Sequence, residues 1–120
     1  MNKILVVDDD PNITFTFKKI LEKEGYHVDT YTDPTKAAAN FQPAVYGVAL
    51  IDIRMPQMNG FELYRSIRKQ DSQIKVCFVT AYEISKEEEG SPTVNGSVSF
   101  LKKPIGMQEL IERVFNMVSA

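Results

Sequence analysis

Five short segments with the character of β-strands, separated by stretches of helical periodicity, constrain the fold of this chain more than any other feature. The third is apolar throughout and suited to burial on both faces of a sheet, the first, fourth and fifth are also typical of buried strands, and the second alternates apolar and polar residues. The five segments cover residues 3–7, 27–31, 48–51, 75–79 and 97–101. This spacing predicts strands that alternate with helices.

Helices are predicted between these strands and after the last one. The first begins at Pro11, with Asp10 as its N-cap, and ends at Gly25. We expect the methionine and aromatic side chains of the first, third and last helices to lie in the core. The other helices are a weak Ala-rich helix over 34–41, a helix through Leu63, Tyr64 and Ile67, and a last helix over 105–118 with Met107, Leu110, Ile111, Val114 and Val118 on its apolar stripe.

The strict alternation predicts an α/β fold with a doubly wound parallel sheet, because right-handed crossovers distribute the helices over both faces. Ligands bind such sheets in a crevice at the carboxyl ends of the strands. Polar residues stand at these ends, and we expect them to line one crevice: Asp8, Asp9, Asp52, Thr80 and Lys103.

Three aspartates in one crevice repel each other unless a cation or a shared proton intervenes. Mg²⁺ takes oxygen ligands and often bridges to phosphate. With the hydroxyl of Thr80 and the amine of Lys103, the set suits phosphoryl transfer, in which a carboxylate can be the nucleophile. Each residue also has a plainer interpretation, namely a turn residue for Asp52, a strand-end hydroxyl for Thr80 and a solvated amine for Lys103. For Asp10 we favour the helix cap.

The same residues resemble the receiver domain of two-component response regulators, of the type found in chemotaxis regulators. The resemblance is carried by the stretches 4–11 (ILVVDDDP), 50–60 (LIDIRMPQMNG), 79–81 (VTA) and 101–104 (LKKP). It runs in order over essentially the whole chain, so residues 1–120 are interpreted as one receiver domain. The family implies a flavodoxin-like, five-stranded parallel sheet with the strand order 2-1-3-4-5.

The resemblance also implies a role for each site residue. Asp52 would accept a phosphoryl group from a histidine kinase or a phosphotransfer protein, and Thr80 and Lys103 would bind the transferred group. Mg²⁺, or Mn²⁺ in its place, would be held by Asp9, by Asp52, by the backbone carbonyl of Arg54 and, through water, by Asp8. Phosphorylation would then switch a surface that docks a downstream protein target.

Further positions match the family less directly. Phe100 matches its aromatic switch residue, whose ring would fill space left by Thr80, and it also suits a core position on a buried strand. Arg54 and Tyr82 match positions that tune the lifetime of the phosphoryl group. The Lys103-Pro104 bond would have a fixed geometry, which the sequence leaves open as cis or trans.

The segment 82–96 departs from the family pattern, which normally has an amphipathic helix there. Only Ile84 and Val94 offer aliphatic side chains, and Gly90, Pro92 and Gly96 interrupt any long helix. We therefore expect a short or irregular helix. This disfavours a dimer through the face it would help to form, and we expect a monomer or weak dimer.

Length and composition exclude several classes of protein. The 120 residues suit one domain, and the formal net charge of −2 gives no bulk attraction to nucleic acid. We expect no membrane insertion, and the single cysteine suits a reducing, cytoplasmic compartment. The chain would act by docking, as a stand-alone regulator or phosphorelay shuttle, or would be the isolated receiver of a longer regulator.

Two other functions stay open at this point. One is a phosphatase of the haloacid-dehalogenase type, whose nucleophile motif is imitated by Asp8 and Asp10; this chain lacks its cap domain, and Asp52 would have no role. The other is a receiver-like interaction module that is never phosphorylated, against which the intact set of site residues argues. On the receiver interpretation the chain is a phosphoacceptor and not an enzyme that turns over free substrates.

Overall fold

Five strands and four helices form the part of the chain that the computed structural model describes, residues 2–81 and 98–119. In chain order they are β1 (Lys3–Val7), α1 (Pro11–Lys23), β2 (His27–Tyr31), α2 (Pro34–Asn40), β3 (Val48–Asp52), α3 (Gly60–Gln70), β4 (Lys75–Thr80), β5 (Val98–Lys102) and α4 (Met107–Ser119). The segment 82–96, for which a short or irregular helix is predicted, lies outside the described residues, and so does Tyr82.

All five strands are parallel and form one sheet in the order β2-β1-β3-β4-β5. The predicted doubly wound α/β fold and its strand order are therefore confirmed. Side chains of β1 alternate between the two faces: Leu5 and Val7 pack with α2 and α3, whereas Ile4 and Val6 pack with α1 and α4. The sheet is covered by helices on both sides, which explains why the middle residues of its central strands are apolar.

The start of α1 agrees with the prediction. The carboxylate of Asp10 accepts a hydrogen bond of 2.9 Å from the backbone N–H of Asn12, and Pro11 occupies the first turn. Gly25 follows the helix with a φ of +96°, a conformation that glycine adopts without steric cost. Among the described residues, no helix combines the length and the apolar character needed to cross a membrane.

The last helix differs from its prediction in position and in its buried face. It begins at Met107, two residues later than expected, and its buried residues are Leu110, Val114 and Met117. Met107 is 60% exposed. Met107 is exposed because it borders an open groove between α4 and α1. Periodicity identifies the apolar face of a helix, but it does not show how far the neighbouring helix extends along that face.

The expectation that the aromatic side chains of the first and last helices lie in the core is wrong for two of them. Phe15 on α1 and Phe115 on α4 are 63% and 59% exposed, whereas Phe17 on α1 is buried. Apolar character alone does not decide burial when neighbouring positions compete for one core-facing stripe, and Phe17 occupies that stripe with Leu21.

Candidate functional site

The carboxyl ends of β1 and β3 bring three aspartates together. Asp8 directly follows β1, and Asp52 is the last residue of β3, its neighbour in the sheet. Carboxylate oxygens of Asp8, Asp9 and Asp52 lie within 4.8 Å of one another. Asp8 and Asp52 are buried, while Asp9 is exposed, so one side of this group is open to solvent.

Lys103 is the cation of this group. Its ammonium Nζ lies 2.7 Å from Asp8 Oδ2 and 3.7 Å from Asp52 Oδ2. The lysine directly follows β5, and its backbone N–H donates a 2.7 Å hydrogen bond to the carbonyl of Thr80 at the end of β4. The Lys103-Pro104 peptide bond is cis, which settles the alternative that the sequence left open. Two neighbouring strand ends thus place the lysine beside the aspartates.

Burial and neighbouring negative charge raise the pKa values of two aspartates in the site. Burial and the nearby charge of Asp8 raise the pKa of Asp52 from its ordinary 3.8 to about 6, although Lys103 and the backbone N–H of Arg54 oppose this. The pKa of Asp8 is also raised, because burial outweighs its hydrogen bond from Lys103. A further cation near these oxygens would relieve both shifts.

The pKa of Lys103 is raised in spite of partial burial, which by itself would lower it. The hydrogen bond to Asp8 and the charges of Asp8, Asp52 and Asp9 outweigh that burial. The amine therefore stays protonated at neutral pH and supplies a fixed positive charge at the floor of the site.

The donor set fits a hard divalent cation. Three carboxylates offer oxygen ligands that nearly converge, and the exposed side at Asp9 leaves room for water and for a further ligand. Arg54 lies two residues beyond Asp52, and its backbone N–H helps to lower the pKa of the Asp52 carboxyl.

Asp10 does not belong to this group of carboxylates. Its side chain caps α1 through the N–H of Asn12, and its own backbone N–H donates a 2.9 Å hydrogen bond to Asp8 Oδ1. The plainer interpretation of Asp10 as a helix cap therefore agrees with the geometry, and Asp10 acts on the site by orienting Asp8.

Thr80 and Phe100 lie on neighbouring strands behind the site. Thr80 is 1% exposed at the end of β4. Phe100 on β5 is half-buried, and its ring lies 5.4 Å, between centroids, from that of Phe78 on β4. Phe100 therefore packs against the core on the α2 and α3 side of the sheet.

Gly60, the first residue of α3, closes the stretch 50–60 that carries the resemblance, but the sequence interpretation gave it no role of its own. The helix begins beside the end of β3, with Asn59 as N-cap in a capping box with Glu62. The backbone N–H of Gly60 donates a 2.9 Å hydrogen bond to the carbonyl of Ile53, directly after Asp52. The signal in the sequence that could have identified this contact is the glycine itself, since the first position of a helix normally tolerates a side chain.

Comparison with known proteins gives a consistent result. The family model described as the response regulator receiver domain matches residues 4–115. The response regulator receiver protein CpdR of Brucella abortus is 30% identical over 120 residues, which cover 100% of this chain and 99% of that protein. Other curated relatives, transcriptional and heme response regulators, are longer, and this chain spans 43–50% of their length.

Solved structures agree with the family match. The chemotaxis protein CheY4 of Vibrio cholerae is 31% identical with a TM-score of 0.86, and the likeness covers 98% of both chains. The response regulator TrrA of Thermotoga maritima, solved in complex with Mg²⁺ and BeF, is 31% identical with a TM-score of 0.78, over 98% of this chain and 99% of that one.

Proposed function

The chain belongs to the family of response regulator receiver domains of two-component signalling, and we propose that it accepts a phosphoryl group on Asp52 in a magnesium-dependent reaction. Receiver domains bind Mg²⁺ at an acidic pocket and interact with histidine kinases and downstream targets. The observation that carries the proposal is the Asp52 carboxylate at the end of a buried strand, with two aspartates and Lys103 around it.

In the proposed reaction an Asp52 oxygen attacks the phosphorus of a phosphohistidine on a kinase or phosphotransfer protein. An O–P bond forms as the P–N bond breaks, and the imidazole nitrogen leaves with the electron pair and takes up a proton from solvent. The attacking group must be ionised. With a pKa of about 6 in the metal-free protein, Asp52 is mostly ionised at neutral pH, and a bound cation would favour the ionised form further.

Magnesium supplies positive charge that offsets the carboxylates and the phosphoryl oxygens. The residues that would hold it are Asp9 and Asp52 through their carboxylates, Arg54 through its backbone carbonyl and Asp8 through water. Mn²⁺ prefers the same oxygen donors and would substitute for it.

Lys103 and Thr80 would stabilise the phosphorylated state. The ammonium, 3.7 Å from Asp52 Oδ2, would donate a charge-assisted hydrogen bond to a phosphoryl oxygen after transfer. The Thr80 hydroxyl would move to donate to another oxygen, and the Phe100 ring would fill the space it leaves. This repacking would alter a docking surface for a downstream protein target.

Residues 1–120 together would form the receiver unit. It would work as a single-domain regulator, as a phosphorelay shuttle or as the receiver of a longer regulator, as a monomer or weak dimer. We propose a cytoplasmic location, which suits a buried, reduced Cys77. The chain would catalyse its own phosphorylation and dephosphorylation without turning over free substrates.

Acetyl phosphate with Mg²⁺ provides a direct test. The wild-type protein should gain one phosphoryl group in its intact mass spectrum, and Asp52→Asn should gain none. Asp10→Asn is the matched control, because it removes one carboxylate from the same sequence run while asparagine still caps the helix. Labelling that persists in Asp52→Asn, or hydrolysis of p-nitrophenyl phosphate that depends on Asp8, would overturn the proposal, the latter in favour of a phosphatase.

A further inference from the structure

The start of α3 lies in contact with the backbone of the proposed acceptor. A Cβ atom at Gly60 would lie 2.4 Å from the carbonyl oxygen of Asp52, 3.1 Å from its carbonyl carbon and 2.9 Å from the Cα of Ile53. The separations of 2.4 Å and 2.9 Å are shorter than those that Cβ atoms in proteins adopt from other heavy atoms. Any side chain at position 60 therefore requires a displacement of backbone.

The three atoms that a Cβ would meet belong to the peptide unit that joins Asp52 to Ile53. That unit determines the direction in which the Asp52 side chain leaves the strand and the course of the chain toward Arg54. The backbone N–H of Arg54 in turn helps to lower the pKa of the Asp52 carboxyl. A displacement of this single peptide would thus move the carboxylate and the Arg54 backbone at the same time.

Neither strand β3 nor helix α3 can easily move away from this contact. Strand β3 is hydrogen-bonded to β1 on one side and to β4 on the other. The helix is held by its 2.9 Å hydrogen bond from Gly60 to Ile53 and by the buried side chains of Phe61, Leu63 and Ile67. The peptide that follows Asp52, at the carboxyl end of β3, is therefore the part of the chain that would be displaced.

We propose that Gly60 is a positioning residue of the phosphoryl-transfer site: its lack of a side chain lets α3 pack against the Asp52 peptide and so aims the acceptor carboxylate. This inference rests on the proposed function of Asp52. Gly60 touches no reacting atom and acts only through the backbone of Asp52 and Ile53.

A purely structural role for Gly60 is the competing explanation, and Gly25 offers a matched control. Gly25 has a φ of +96°, so Gly25→Ala is strained and should destabilise the fold. It lies just before β2, at the amino end of the sheet and away from the aspartates. Gly106→Ala is a second control, because a Cβ there meets nothing within 4 Å.

The experiment compares wild type, Gly60→Ala, Gly25→Ala and Gly106→Ala in three measurements. Calorimetric titration with MgCl₂ gives the metal affinity without any reaction. The rate of phosphorylation at increasing acetyl phosphate separates the maximal rate from the half-saturating concentration. Amide chemical shifts of Ile53 and Arg54 without metal report the position of the peptide itself. All three measurements are made in a sucrose solution, which favours the folded state of each variant.

Gly60→Ala should bind Mg²⁺ at least about tenfold more weakly than wild type, as expected when a support of a metal ligand moves. Its maximal phosphorylation rate should fall by about 10- to 100-fold at an unchanged half-saturating concentration, because the acceptor is misplaced. The amide shifts of Ile53 and Arg54 should change. Gly25→Ala and Gly106→Ala should match wild type in all three measurements once the folded fraction is taken into account.

Three results would overturn the inference: wild-type affinity and rate in Gly60→Ala, equal losses in Gly25→Ala at equal stability, or a Gly60→Ala protein that does not fold even in sucrose. The last would make Gly60 a requirement of the fold. A wild-type protein that takes up no phosphoryl group would instead refute the proposed function, while the Mg²⁺ affinities and amide shifts would still decide whether Gly60 positions Asp52.

Discussion

Replacing Asp52 by asparagine should stabilise the metal-free protein at neutral pH, although it removes the proposed acceptor. The residue is 6% exposed, and its carboxylate lies close to those of Asp8 and Asp9. Asparagine has nearly the same shape and carries no charge. The substitution therefore removes an unfavourable buried charge without leaving a cavity.

The magnitude follows from the pKa of Asp52. Because the folded protein raises this pKa from 3.8 to about 6, it holds the proton more tightly than the unfolded chain does. The stability gained from that proton is complete below about pH 4 and is lost as the pH rises through about 6. The difference corresponds to about 3 kcal/mol at neutral pH, at about 1.4 kcal/mol for each tenfold change in proton affinity. Asp52→Asn should recover about 2–3 kcal/mol of this at pH 7 and almost none near pH 4.

Urea denaturation in the presence of a chelator, followed by far-ultraviolet circular dichroism, measures this difference. The midpoint of Asp52→Asn should exceed that of wild type at about pH 7, and the two should converge toward about pH 4 at an unchanged slope. Asp10→Asn should behave like wild type, because its side chain is exposed and asparagine caps equally well. A variant less stable than wild type at pH 7, or an advantage independent of pH, would refute the electrostatic reasoning.

Other substitutions test single contacts. Lys103→Gln removes the ammonium that lies 2.7 Å from Asp8. The pH midpoint of Mg²⁺ binding, measured by calorimetry, should therefore be higher in this variant than in Lys102→Gln. An unchanged midpoint would contradict the assigned pairing of Lys103 with Asp8. Tyr46→Phe removes a 2.6 Å hydrogen bond to Asp29, so urea denaturation should show a loss of about 1–2 kcal/mol. Phosphorylation of this variant should be unchanged, and its loss would show that the contact also supports the site. Arg54→Ala should lose its phosphoryl group faster than wild type in a decay assay if, as we propose, the side chain two residues beyond the acceptor shields it from water; equal rates would argue against shielding.

The sequence was informative wherever one local pattern determines the outcome. The apolar run at 48–51 required a strand buried on both faces, and the parallel topology then required its carboxyl end to meet that of β1. The proximity of Asp8 and Asp52 follows from these two steps. The cap at Asp10 is equally local, since an Asp-Pro pair before a helical period has few other uses.

Features that depend on the packing of distant segments could not be predicted in this way. The exposure of Met107 depends on where α1 ends relative to α4, and periodicity contains no such information. The close approach of Gly60 to the Asp52 peptide depends on how α3 docks against β3. Both are properties of pairs of elements, whereas hydrophobic patterns describe one element at a time.

The charges of the pocket show why its stability and its proposed chemistry are coupled. Lys103 lies 2.7 Å from Asp8 and 3.7 Å from Asp52, and the pKa values of both aspartates stay raised. A pocket with full compensation would be more stable, but it would attract a cation less strongly. Since any ligand that binds only the folded state stabilises it, a cation bound beside Asp52 would return the stability that the ionised carboxylate removes. The incomplete pairing of Asp52 is therefore the physical reason to expect that the pocket binds a divalent ion.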